Sequence, residues 1–178
     1  QQLTGVNAFL GYASTLFEDV GIKQPLVFNV IWNSVMVCGC VLGLLLIDSQ
    51  YGGRRIQLLG ATFLMGPSLV VAGFGLIFSW PGIIIMIMVC VYGVGFQLAW
   101  GSVPWIYPSE IFSMAERETA NSIAVFLQYA ANALVVVITP PLMTTSVSGT
   151  IFVFGILNIA NFIFVWACIQ ETKGVPLE

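Results

Sequence analysis

The chain of 178 residues contains no histidine. That removes the usual proton carrier near neutral pH and the commonest metal ligand. Charge is nearly as scarce. Five Lys and Arg and eight Asp and Glu make up 7% of the residues, where a soluble globular domain carries roughly 25%. So few charges cannot cover a water-facing surface. Five basic residues also cannot form the patch that nucleic acid requires. The four cysteines, Cys38, Cys40, Cys90 and Cys168, lie in apolar runs and form no CxxC pair. They read as buried thiols packing as small hydrophobes rather than as a zinc or redox site. No nucleophile has a base at usable spacing, so nothing points to an enzyme, a cofactor or a metal.

What is present is apolar. Hydrophobic residues are 58% of the chain and the mean hydropathy is +0.98. These values imply an all-α membrane protein with lipid as its solvent. The apolar runs place six helices at about 1–18, 25–47, 56–79, 82–107, 118–143 and 150–169. Most reach the roughly 20 residues needed to cross a bilayer. In lipid each backbone polar group must pair within its own segment, which a helix does. The runs lack the alternation of barrel strands. The chain begins at Gln1 without a basic leader or a polar flank. We therefore expect no signal peptide, and a piece of a longer protein.

Arg54, Arg55, Arg117 and Lys173 fall in the second and fourth connections and the tail, and Lys23 falls in the first. The positive-inside bias then puts the second connection, the fourth and the C-terminus in the cytoplasm. No charge lies deep in a span. The deep polar groups are amides: Gln1, Gln2, Asn7, Asn29, Asn33, Gln97, Gln128, Asn132, Asn158 and Asn161. An amide offers donors and an acceptor without a charge to desolvate, which suits a neutral hydroxyl-rich solute. It equally serves to join helices. Gly93, Gly95, Gly101 and Pro104 predict a bend or unwinding in the fourth span, unless the glycines only let helices approach. Pro140 and Pro141 sit late in the fifth.

Four stretches resemble the sugar porters of the major facilitator superfamily. QQLTGVNAFLGY at Gln1 to Tyr12 is similar to the seventh-helix pattern of that family. DSQYGGRR at Asp48 to Arg55 resembles its D-R-x-G-R-R loop. GSVPWIYPSEIF at Gly101 to Phe112, followed by Arg117, is similar to its tenth helix and the next loop. QETKGVPLE at Gln170 to Glu178 resembles its tail signature. The order and spacing match along the whole chain, and ITPPL at Ile138 to Leu142 looks most like fungal permeases.

The resemblance implies one six-helix bundle of a two-bundle carrier, with the N-terminal bundle absent from this chain. It implies transport of a hexose or related carbohydrate by alternating access. A truncated, non-transporting relative or sugar sensor is the alternative. The expected partners are the sugar, the bilayer, and either the missing bundle or a second copy of the chain. Protons join them if transport is coupled. The location expected is the plasma membrane.

Residue by residue, the resemblance makes Gln1, Gln2 and Asn7 sugar ligands. In a straight helix Asn7 would stand about 120–140° from both glutamines. Gly5 between them makes a local break the way to bring them together. Trp105 matches the tryptophan that packs beside the sugar, where an indole can stack on a pyranose face and donate one hydrogen bond. Its other reading is an interfacial belt residue. Gln97 lies two turns earlier on the same face. Gln128 and Asn132, four residues apart on one helix face, map with Tyr129 onto a polar-aromatic cluster of the eleventh helix.

Tyr12 and Tyr129 are the expected gate residues, although Gly11 stands where the family has a first tyrosine. Asn33 is a candidate from the second span that spacing does not place. Asp48, Arg54, Arg55, Glu110, Arg117 and Glu171 resemble a cytoplasmic salt-bridge latch between bundles. Otherwise they are ordinary surface charges at helix ends.

Overall fold

The computed structural model describes residues 1–11, 25–47, 49 and 52–173. Its regular structure among these residues is all helical. A 3₁₀ turn at Gln2–Thr4 leads into α1, residues 6–11 among those described. Then follow α2 (Pro25–Ile47), α3 (Arg54–Ile77), α4 (Gly82–Gly95), a π-helical segment at Phe96–Trp100, α5 (Val103–Ile111), α6 (Arg117–Thr145) and α7 (Val147–Cys168). Five helical stretches are long and apolar enough to cross a membrane, with α4, the π segment and α5 counting together as one stretch of 30 residues. Residues 12–24, with most of the first expected helix and Tyr12, lie outside the described residues, as does Asp48.

Large hydrophobic side chains are exposed along every long helix: Leu45 on α2, Phe63 on α3, Ile83 on α4, Val137 on α6 and Trp166 on α7. In water this would be an aggregation surface, whereas in a bilayer it is the solvated face. The protein is therefore a multi-pass integral membrane protein.

The core is held by α3. Its buried residues Leu58, Ala61, Thr62, Met65, Ser68, Leu69 and Ala72 recur at three- and four-residue steps, the spacing of one helical face. That face packs most extensively against α7, then against α4. Lipid tails are as apolar as leucine, so close packing rather than hydrophobic expulsion holds such helices together. α2 lies against α4 and the π segment. α6 is the least enclosed span, with only 11% of its apolar window buried. Pro140 and Pro141 do not end α6, which continues to Thr145. Ser146 alone separates it from α7, and its hydroxyl caps α7 by accepting from the Gly149 amide at 3.1 Å.

The cysteines are placed differently from the expectation. Cys38 and Cys168 are exposed, and Cys40 and Cys90 are half-buried. An apolar run does not separate a core position from a lipid-facing one, because both surroundings are apolar.

The fourth span changes register within its length. Phe96–Trp100 is π-helical, and the Gly101 amide donates to the Phe96 carbonyl at 3.0 Å. One residue is in effect inserted into the helix, which rotates everything after it. Trp105 therefore emerges on a face that a uniform helix would not give it.

Candidate functional site

The first helix breaks where its sequence permits. Gly5 has φ 91°, a backbone conformation that side chains disfavour. A Cβ there would also lie 2.5 Å from the Phe154 ring. The break rotates the glutamines toward Asn7. Asn7 Nδ2 donates to Gln2 Oε1 and to Asn132 Oδ1 at 2.7 Å. Gln1 Nε2 donates to the Trp100 carbonyl in the π segment. These bonds use Asn7 as a double donor. They leave Asn7 Oδ1, Gln2 Nε2 and Asn132 Nδ2 without a protein partner among the described residues. Gln1 Oε1 is buried and unpaired.

Gln1, Gln2, Asn7 and Asn132 line a cavity of about 320 Å³. Gln1, Gln2 and Asn7 line it from the broken helix, Gln97 from the π segment, Trp105 from α5, and Gln128, Tyr129 and Asn132 from α6. Four separate stretches thus converge, and of the candidates named from the sequence Gln1, Gln2, Asn7, Gln97, Trp105, Gln128, Tyr129 and Asn132 are on this wall. Val6, Leu10, Met36, Phe96 and Gly101 complete it. Among the described residues no charged side chain lines the cavity. All six amides are half-buried, and Trp105 and Tyr129 are exposed toward the opening at 45% and 62%. Such a wall can exchange hydrogen bonds with hydroxyl groups and offer an indole face.

Two placements depart from the sequence reading. Asn33 is exposed, donates to the Asn29 carbonyl at 2.7 Å, and lines a separate groove on α2. The α2 side chain that reaches the cavity is Met36, 5% exposed. It lies in an unbroken apolar run, so no polar signal marks it.

At the far end of α3 the charges meet. Arg54 grips Glu110 through Nε at 3.1 Å to both carboxylate oxygens and through Nη2 at 2.6 Å, a forked pairing. Thr172 donates to the same carboxylate. Glu171 accepts from the backbone amides of Arg54 and Arg55 at 2.8 and 3.1 Å, placing an anion on unpaired donors at the positive end of a helix. A Cβ on Gly53 would stand 2.4 Å from Glu171 Oε2, so a side chain there would make the carboxylate shift. Lys173 donates to the Ser49 and Gly52 carbonyls.

Two expected members stand apart from this cluster. Arg55 Nη2 donates to the Trp166 carbonyl rather than to a carboxylate. Arg117 has Nε and Nη2 buried without a partner among the described residues. The cluster as seen ties α3, α5 and the tail of one bundle together.

Membrane-spanning helices thus close on an uncharged, amide-lined hollow, with a charge cluster at one end. The family profile described as "Sugar (and other) transporter" matches residues 1–178. Sugar transport protein 1 of Arabidopsis thaliana is 31% identical over 191 residues, covering 100% of this chain and 36% of that protein. Hexose transporter HXT14 of Saccharomyces cerevisiae is 28% identical, covering 97% of this chain and 32% of that protein. Among solved structures, the proton:xylose symporter XylE bound to 6-bromo-6-deoxy-D-glucose superposes with a TM-score of 0.87. It is 28% identical, with 99% of this chain and 39% of that one covered. The inward-open form of XylE from E. coli superposes at 0.78 with 26% identity, covering 98% of this chain and 40% of that one. The chain belongs to the sugar transporter family, and it spans between 32% and 40% of the length of these relatives.

Proposed function

We propose that the intact protein carries a sugar, a hexose or related carbohydrate, across a membrane by alternating access. This chain then supplies the second of its two bundles. The observation that carries the reading is the cavity itself, where six uncharged amides and one tryptophan from four stretches surround about 320 Å³. Small-molecule sites occupy roughly 300–1,000 Å³. A sugar trades hydrogen bonds with water for hydrogen bonds with amides, at no cost of burying a charge.

In this reading Gln1, Gln2, Asn7, Gln97, Gln128 and Asn132 bond the hydroxyls, and Trp105 stacks on the ring. Tyr129 gates the opening together with Tyr12. The partner is an N-terminal bundle, or a second copy of the chain if none exists. Arg117, whose Nε and Nη2 have no partner among the described residues, is the group that would take a carboxylate of that partner when the bundles move. Such a pair, made in one state only, shifts the balance between states. Coupling to protons is supported by the likeness to a proton:xylose symporter. The membrane is the plasma membrane, and the end bearing Arg54, Arg117 and Lys173 faces the cytoplasm.

Uptake of labelled hexoses by cells expressing the intact protein tests the reading. Gln2→Ala and Asn132→Ala lower uptake at equal surface amounts. Unchanged uptake in both removes the assigned cavity.

A further inference from the structure

The break at Gly5 leaves the Thr4 carbonyl outside the hydrogen-bond ladder of α1, whose first bond runs from the Phe9 amide to the Gly5 carbonyl at 3.1 Å. Two side chains from different helices meet that carbonyl. Tyr92 on α4 donates its hydroxyl at 2.9 Å. Asn158 on α7 donates Nδ2 at 3.1 Å, and the same nitrogen donates to the Phe154 carbonyl at 2.8 Å. Both residues are 0% exposed, and neither lines the cavity. Enclosed polar groups are tolerated when they are paired; here the Tyr92 hydroxyl and Asn158 Nδ2 both pair with one backbone atom, while Asn158 Oδ1 has no partner among the described residues.

We propose that Tyr92 and Asn158 are positioning residues for the sugar. Together they hold the Thr4 carbonyl, and so fix the turn that presents Gln1 and Gln2 to the cavity. The inference rests on the transport reading above.

The linkage is short. Thr4 bonds the Gln1 carbonyl twice, through its amide at 3.1 Å and its hydroxyl at 2.6 Å. A shift of Thr4 therefore moves the backbone that carries both glutamines. Below the turn, the Phe154 ring fills the space that Gly5 leaves open. Phe9 packs 5.0 Å from Tyr92 and 6.1 Å from Phe154, centre to centre. The aromatic rings stop the turn from sinking, and the two donors stop it from swinging. A hydrogen bond weakens steeply as its angle departs from linear, so small rotations of the glutamine amides change which hydroxyls they reach.

The test uses the intact protein in cells, with D-glucose, D-xylose and the monodeoxyglucoses as probes. The variants are Tyr92→Phe, Asn158→Leu and the pair. A carbonyl keeps one donor after either single change and loses both in the pair. The KM for the preferred sugar therefore rises about threefold in each single variant, and by more than the product of the two, beyond about tenfold, in the pair. The penalty that the unmodified protein imposes on deoxy sugars shrinks in step, while the maximal rate per surface copy is kept.

A merely structural role lowers the surface amount and leaves KM and the deoxy penalty unchanged in both single variants; that result overturns the proposal. Tyr92→Phe removes a single oxygen, so the comparison survives even if the paired variant fails to reach the surface. An unmodified protein that takes up neither D-glucose nor D-xylose counts against the transport reading instead.

Discussion

Asn7 Nδ2 donates to Asn132 Oδ1 across 2.7 Å, joining residues 125 positions apart in the chain. The same nitrogen donates to Gln2. One amide thus links two walls of the cavity. Asn7→Leu removes both bonds and leaves Gln2 Oε1 and Asn132 Oδ1 unpaired. We expect the KM for sugar uptake to rise at least tenfold, since orphaning a partly buried acceptor costs about 1–3 kcal/mol. An uptake series at matched surface expression measures this.

Gly5→Ala places a methyl group on the Phe154 ring and forces a side chain into a left-handed backbone position. The conformation alone costs about 1–2 kcal/mol, and overpacking adds about 1–3 kcal/mol. The purified variant is expected to melt several degrees earlier in detergent. A melting curve equal to that of the unmodified protein would disprove the requirement for glycine.

Arg54 and Glu110 are largely shielded, with side chains 15% and 18% exposed. Breaking a shielded, forked pair leaves one charge uncompensated at a cost of up to about 3–5 kcal/mol. Glu110→Gln is expected to lower thermal stability clearly. Arg54→Lys, which keeps the charge and loses the fork, should fall between that variant and the unmodified protein. Melting at low and high salt separates the two effects, because a shielded pair is screened little.

Glu171 closes the first turn of α3 through the amides of Arg54 and Arg55. Glu171→Ala removes this cap at a cost of about 1 kcal/mol. The first turn of α3 should then exchange its amide hydrogens about fivefold faster. Hydrogen-exchange mass spectrometry of the peptide spanning residues 52–60 reads it directly. Exchange confined to its original rate would show that the tail does not hold this helix end.

Much of the molecule was legible before any fold was known. Long apolar runs are helices in lipid because the backbone has no other partner there. The Gly5 break was an expectation once the resemblance made Gln2 and Asn7 joint ligands, since a straight helix would hold them apart. The motif residues Gln97, Trp105, Gln128 and Asn132 do converge on one cavity. Other features left no trace in the sequence. Met36 reaches the cavity from an unmarked apolar helix, while the polar Asn33 does not. The cysteines are not buried, because a lipid-facing thiol and a core thiol look alike in an apolar run. Arg55 and Arg117 match a charge motif, yet their side chains make no ion pair among the described residues.

The sequence by itself determined a membrane-spanning helical protein with an inventory of neutral amides, because composition fixes which solvent the chain can face and which polar groups it can bury. Only the tertiary structure decided the use of each amide. Asn7 and Asn132 open on the hollow, and Asn158 is spent on the Thr4 carbonyl. An asparagine has the same donors and acceptor wherever it stands in a helix, and the neighbouring helices determine which atoms come within about 3 Å of it.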